Sequence, residues 1–254
     1  MECQRAAMFK IVGHLALVIV LTLLSQLGGI AWLVAQLFRR KLAAFLILYA
    51  GLSLAVIWVA PLSGRVALNC WERGPLQMHS WFYCALNRNY VTPELAVLLQ
   101  DTAAAVDQAY PGTVTQVLDA SFPFLTGFPL LPHLSHHDGR KADLAFYYAD
   151  AGKYEPGATR SPFGYFAFEP GPSDCPGTWL TLRWDLALLQ PLWRGLEVDA
   201  PRTRNLLRVL AADSRAGKIF LEPHLQDRLG LHSAKIRFQG CRAARHDDHI
   251  HLQL

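Results

Sequence analysis

Two long runs without a charged residue dominate the polarity pattern of the N-terminal quarter. Ile11 to Phe38 holds no Asp, Glu, Lys or Arg, and Leu42 to Leu62 repeats the pattern after Arg39-Arg40-Lys41. A helix needs about 20 apolar residues to cross roughly 30 Å of hydrocarbon, and each run supplies them. A removable signal peptide fits the first run poorly, because a second apolar span follows where a small-residue cleavage site belongs. The pattern predicts a two-helix transmembrane hairpin in residues 1–62, with spans at about 11–38 and 42–62. The short basic connection faces the cytoplasm by the positive-inside rule, which leaves both termini on the far side. Arg5 and Lys10 also prefer the inside and pull against that orientation.

Beyond residue 62 the periods shorten. Residues 63–91 hold Pro, Gly, Asn, Cys70 and Cys84 without a clear period and are expected to form a stapled linker. Thr92-Pro93-Glu94 then carries N-cap and first-turn preferences. Leu95, Val97, Leu98, Leu99 and Val106 supply an apolar stripe, so a helix is predicted to about Ala109, ended by Pro111-Gly112. Alternation predicts strands at Thr113–Ala120, Ala142–Tyr148, 217–222, 234–238 and 249–254. Asp185 and Asp199 are expected to cap helices at 186–195 and 201–213, the second turning Leu206, Leu207, Val209 and Leu210 inward. Pro191 counts against the first. Residues 151–178, rich in Pro and Gly with Tyr154, Phe163, Tyr165, Phe166 and Phe168, read as a long loop forming a wall or lid of a cleft. The expected fold class is α+β, a small mostly antiparallel sheet with packed helices over residues 92–254.

Composition agrees with a chain that partly leaves water: 52% of residues are hydrophobic and only 17% charged. The net charge of +4 comes without a basic stripe interleaved with aromatics, so no nucleic-acid partner is expected. Cys70, Cys84, Cys175 and Cys241 form an even set in the outer portion, and Cys70 with Cys84 and Cys175 with Cys241 is the simplest pairing. Free buried thiols are the other reading. No cysteine spacing matches a structural zinc site.

Histidine supplies the candidate chemistry. Of the 10 histidines, six fall in two short segments, His133 to His137 and His246 to His251. Neutral imidazole binds zinc well, and a catalytic zinc takes three protein ligands and keeps one place for water. His249 and His251 stand two apart on the predicted terminal strand, so both rings point to one face. His136 precedes a strand that contains Asp143, and Gly139 lets the chain turn between them.

The run Pro132-His133-Leu134-Ser135-His136-His137-Asp138-Gly139, with Asp143 downstream, resembles the His-x-Ser-His-x-x-Gly segment and following Asp of penicillin-insensitive murein endopeptidases. His246-Asp247-Asp248-His249-Ile250-His251 is similar to their His-Asp-Asp-His-x-His segment. These enzymes group with lysostaphin, the D-alanyl-D-alanine peptidases and the hedgehog signalling domain. The resemblance covers roughly residues 113–254, including Trp184-Asp185 and Ile219-Phe220-Leu221. It does not extend to the apolar spans or to residues 151–178.

The resemblance implies one zinc ion bound by His136, Asp143 and His251, with His133, His246 and His249 lining the site. His246 stands where related peptidases often have a glutamate base, and His249 is expected to stabilise the oxyanion or orient water. Asp248 or Asp247 is expected either in a turn or behind an imidazole. The implied activity is hydrolysis of peptidoglycan stem-peptide amides, near D-amino-acid cross-links. The implied location is a bacterial inner membrane with the C-terminal domain periplasmic, the bilayer being the second partner. The rival expectation is a zinc-containing wall-binding or sensing module without turnover.

Overall fold

The computed structural model describes residues 2–176 and 183–254. Its first apolar run is two helices, not one. α1 (Glu2–Ser25) ends where Gln26 takes a left-handed φ of 61°, and the chain folds back as α2 (Gly28–Ala35). Two glycines let α2 lie against α1, since a Cβ on Gly28 would come within 2.7 Å of the Leu21 carbonyl and one on Gly29 within 2.0 Å of Thr22 Oγ1. Further along, Trp32 Nε1 donates to His14 Nδ1 at 3.3 Å, so the pair is antiparallel. α3 (Lys41–Val59) then returns, with Phe45 beside Trp32 and Val56 clustered with Leu27.

The expected two-helix hairpin is therefore corrected to a three-helix unit in which α1 and α3 run the same way. The turn lies at Ser25-Gln26-Leu27, just before a glycine pair, in a run read as one span because it carries no charge. The Arg39-Arg40-Lys41 corner consequently lies toward the N-terminal end of α1, on the side of Lys10. Met8–Ser25, with 18 residues, and Lys41–Ser63, with 23, are long and apolar enough to cross a membrane.

Residues 63–91 are not a linker. They form β1 (Val66–Ala67), β2 (Leu76–Met78), α4 (Trp81–Ala85) and β3 (Tyr90–Val91). β1 pairs with β3, and β2 joins the main sheet parallel to β4 (Thr115–Asp119). Strands this short show no period in the sequence. Disulfides link Cys70 to Cys84 and Cys175 to Cys241, as the simplest pairing predicts.

α5 (Pro93–Ala109) starts as expected, its Thr92 side chain accepting from the Leu95 amide. Leu95, Leu98, Leu99 and Val106 are buried, whereas Val97 faces out. Then come β5 (Lys141–Leu144), β6 (Tyr148–Asp150), β7 (Lys153–Tyr154), β8 (Glu197–Val198), α6 (Ala200–Ala212), β9 (Lys218–Phe220), α7 (Pro223–Arg228), β10 (Ile236–Arg237) and β11 (Ile250–Gln253). β5 stops short of the predicted Tyr148, and β6 belongs to a separate sheet with β7 and β8. No α-helix spans 186–195: Pro191 limits the segment to a turn and one 3-10 turn at Gln190–Leu192. Asp199 caps α6 by accepting from the Arg202 amide, as predicted. The aromatic loop begins after β7, and its last two expected residues, 177 and 178, lie outside the described ones.

The main sheet runs β10-β9-β11-β5-β4-β2, antiparallel in its centre and parallel at both edges. The fold is thus α+β. One face carries Ala142, Leu144, Ile250 and Leu252 into the core with α5 and α6, and the alternation of β5 and β11 turns Asp143 and His251 to the other. β4 would present Val117 and Asp119 on one face, but a register shift between them lets Val117 face Leu144 while Asp119 faces Asp143. That irregularity re-aims one side chain, a common use of a bulge.

Candidate metal centre

Three neighbouring strands place Asp119, Asp143 and His251 side by side, because Asp143 is in register with both others. The loop between β4 and β5 lays His133 and His136 over this row. Gly139 closes the loop with φ of 74°, and a Cβ there would lie 2.5 Å from Arg65 Nε, so the turn needs glycine twice over. Arg65 is buried and holds the loop from beneath, donating to Ser121 Oγ at 2.9 Å, the Phe122 carbonyl at 2.7 Å and Thr126 Oγ1 at 3.0 Å.

His136 Nε2, Asp143 Oδ1 and His251 Nδ1 converge. Their separations are 3.2 Å from His136 to Asp143, 2.8 Å from Asp143 to His251 and 3.1 Å from His136 to His251. Ligand atoms about 2.0–2.1 Å from a tetrahedral zinc sit about 3.3 Å apart, so two imidazole nitrogens and one carboxylate oxygen at these spacings fit such an ion with little movement. The outer contact of His136 agrees. His136 Nδ1 meets the Ala120 carbonyl at 2.7 Å, which places the proton there and leaves Nε2 as the donor atom. Burial pushes His251 down to about 4, keeping it in the neutral form that ligates. Asp143 stays well below the usual carboxylate range because, against the cost of burial, the cationic forms of His136, His249 and His133 favour its charge.

The other histidines ring this centre in distinct settings. His133 Nδ1 lies 3.0 Å from Asp143 Oδ2 and 3.2 Å from Asp119 Oδ2. Burial opposes its charge, but the two carboxylates prevail and lift it to about 10. Asp119 in turn accepts from Arg88 through Nε, 3.0 Å from Oδ1, and through Nη2, which donates to Oδ2. His249 Nδ1 meets Asp248 Oδ1 at 2.5 Å, while its Nε2 lies 3.6 Å from Asp143 Oδ1. Burial resists protonation of His249, yet Asp143 and Asp248 raise its pKa. Burial first, and then the neighbouring His249, pushes the His246 imidazole well below its usual value, and its Nδ1 has no partner.

A cavity of about 190 Å³ opens beside His133 and His249. Tyr165, Phe166 and Phe168 of the expected aromatic loop line it, joined by Trp184 and Leu186 from the segment that follows. Phe166 and Leu186 both hold positive φ, 66° and 45°, strain that bulky residues seldom carry outside functional regions. Tyr165 reaches through to donate to Asp143 Oδ2 at 2.8 Å.

All six expected site residues therefore meet around one point. His137 stands apart, Arg140 pairs at the surface with Glu94, and His79 is tied to Gln116 and Pro162. Asp248 backs His249, not one of the three converging donors. Sequence reasoning overlooked Asp119 and Arg88. Asp119 left a trace, a lone acid closing an apolar strand, but Arg88 left none. The chain matches no family model and no curated protein.

Proposed function

We propose that this chain is a membrane-anchored zinc peptidase that hydrolyses amide bonds of peptidoglycan stem peptides near D-amino-acid cross-links. The observation that carries the reading is the mutual approach of His136 Nε2, Asp143 Oδ1 and His251 Nδ1 in a buried pocket beside an open cavity. The substrate and the anchoring rest on the two histidine motifs and the two apolar helices. These three residues would hold a zinc ion, which when bound would supply a Lewis acid and lower the pKa of water to about 7.

The remaining groups divide the work. His249, its Nδ1 fixed by Asp248, presents Nε2 to the centre and carries the proton from the attacking water to the leaving amine. This shifts the expected base from His246, whose Nδ1 lacks any partner to orient it. His133, kept cationic between Asp119 and Asp143, faces the negative charge that develops on the carbonyl oxygen. The aromatic wall excludes water on the cavity side. In this reading the basic end of the three-helix unit lies in the cytoplasm and the sheet domain in the periplasm.

The test uses the full chain in detergent. The zinc-loaded protein is expected to convert cross-linked muropeptides to products of lower mass. His136→Ala, Asp143→Ala and His251→Ala should each lose stoichiometric zinc, while His249→Ala keeps zinc and loses hydrolysis. Zinc-loaded protein that leaves every muropeptide intact rejects the peptidase reading.

A further inference from the structure

We propose that the cavity beside the metal centre is a subsite for a large apolar side chain, of leucine to phenylalanine size, on a residue next to the scissile amide. The proposal rests on the peptidase reading above and names the side chain that the site selects. His133 and His249 stand in the wall of this cavity. The same two rings face the centre, His133 Nδ1 lying 3.0 Å from Asp143 Oδ2 and His249 Nε2 3.6 Å from Asp143 Oδ1. A peptide bond held at the centre therefore has a flanking side chain within reach of the cavity.

The chemistry of the wall picks the occupant. Each charged side chain among its described residues is already engaged. Arg245 lies over the Phe168 ring, 4.3 Å from its centroid, and donates through Nε to Asp247 Oδ1 at 3.0 Å. Asp248 meets His249 Nδ1 at 2.5 Å through Oδ1 and accepts from the Phe166 amide at 2.6 Å through Oδ2. Tyr165 spends its hydroxyl on Asp143. Pro132, Phe166, Phe168, Trp184, Leu186 and Ala244 are left to face the space. A carboxylate or ammonium group entering there loses water without gaining a partner, whereas an apolar group gains by leaving water.

Size narrows the class further. An apolar cavity of about 150 Å³ holds a benzene molecule. The space beside His133 and His249, about 190 Å³, thus has room for an isobutyl or benzyl group and is poorly filled by a methyl. The wall is also tied down. The Glu169 amide donates to the Asp247 carbonyl at 2.7 Å, and the Cys175–Cys241 disulfide joins the aromatic loop to the segment before His246. Glu169 itself is held between Arg160 at 3.2 Å and Arg228 at 3.0 Å. A wall fixed in this way needs little ordering when a side chain enters, so more of the burial appears as selectivity.

The experiment uses the zinc-loaded full chain in detergent and cross-linked peptides that carry D-Ala, D-Leu, D-Phe, D-Glu or D-Lys in turn at each position flanking the cut amide. Reduced-amide analogues of the same series, which cannot be hydrolysed, report binding by calorimetry. At one of the two positions D-Leu and D-Phe should exceed D-Ala by at least about 10-fold, in kcat/KM for the peptides and in affinity for the analogues, with D-Glu and D-Lys below D-Ala. Leu186→Glu, and Ala244→Phe at the exposed mouth, should each bring the D-Leu to D-Ala ratio close to one. If the peptides are cut but D-Ala serves as well as D-Leu and D-Phe at both positions, the subsite fails and the peptidase reading stands. If nothing is cut while the analogues bind in the expected order, the peptidase reading fails and the subsite stands. Analogues that bind alike without hydrolysis overturn both, and a preference that survives in both variants overturns the assignment to this cavity.

Discussion

Replacing Asp119 with Asn tests how the centre is supported from behind. Asp119 is fully buried and Arg88 is only 6% exposed, so the guanidinium has little water to turn to when its counter-charge goes. Of its contacts, the one to the Leu131 carbonyl at 2.8 Å remains, together with the single oxygen of the new amide. Removing one partner of a buried pair costs about 3–5 kcal/mol, and the retained oxygen argues for the lower end, about 3 kcal/mol. At about 2–4 °C per kcal/mol for a domain of this size, Tm should fall by about 6–12 °C. The assay is thermal denaturation of the full chain in micelles, followed by near-ultraviolet circular dichroism. Zinc stoichiometry should hold at one, because Asp119 is not among the converging donors, while hydrolysis falls as His133 loses a carboxylate. A Tm within about 2 °C of wild type would show that Arg88 is not a charge held by Asp119. Loss of zinc would show that the donor set is drawn wrongly. Arg88→Met/Asp119→Leu should recover most of the stability but not the hydrolysis.

Two further outcomes follow from the loop and the helices. Gly139→Ala forces a β-carbon into left-handed backbone, at about 1–2 kcal/mol, and onto Arg65, so the denaturant midpoint should drop and zinc affinity weaken with the displaced His136 loop; an unchanged midpoint contradicts the role given to Arg65. Because α1 and α3 run the same way, cysteines placed at Lys10 and Arg39 should react with an impermeant maleimide from the same side of sealed vesicles. Labelling from opposite sides refutes that arrangement.

The candidate metal-binding motifs were legible because they are local. His136 and Asp143 flank one turn, and His251 lies on β11 with His249 just before its start, two residues away, where the period expected a strand from 249. Start signals were equally local, as Thr92 and Asp199 show. The chain's reversals were not: a turn at Gln26, inside a run without charge, made one expected span into α1 and α2, and strands of two or three residues hid residues 66–91 from any period. Pro191 gave warning at 186–195, and the helix expected there is absent.

By itself the sequence determined the α+β class, the two spans long enough for a bilayer, and which histidines and which aspartate are candidates for metal, since each depends on patterns a few residues wide. Only the tertiary structure decided who stands behind them. Asp119 reaches the centre through a register shift between strands, and Arg88 and Arg65 come from segments without pattern. Pairings of that kind depend on which strands lie adjacent and in what register, and no neighbour in the sequence carries that information.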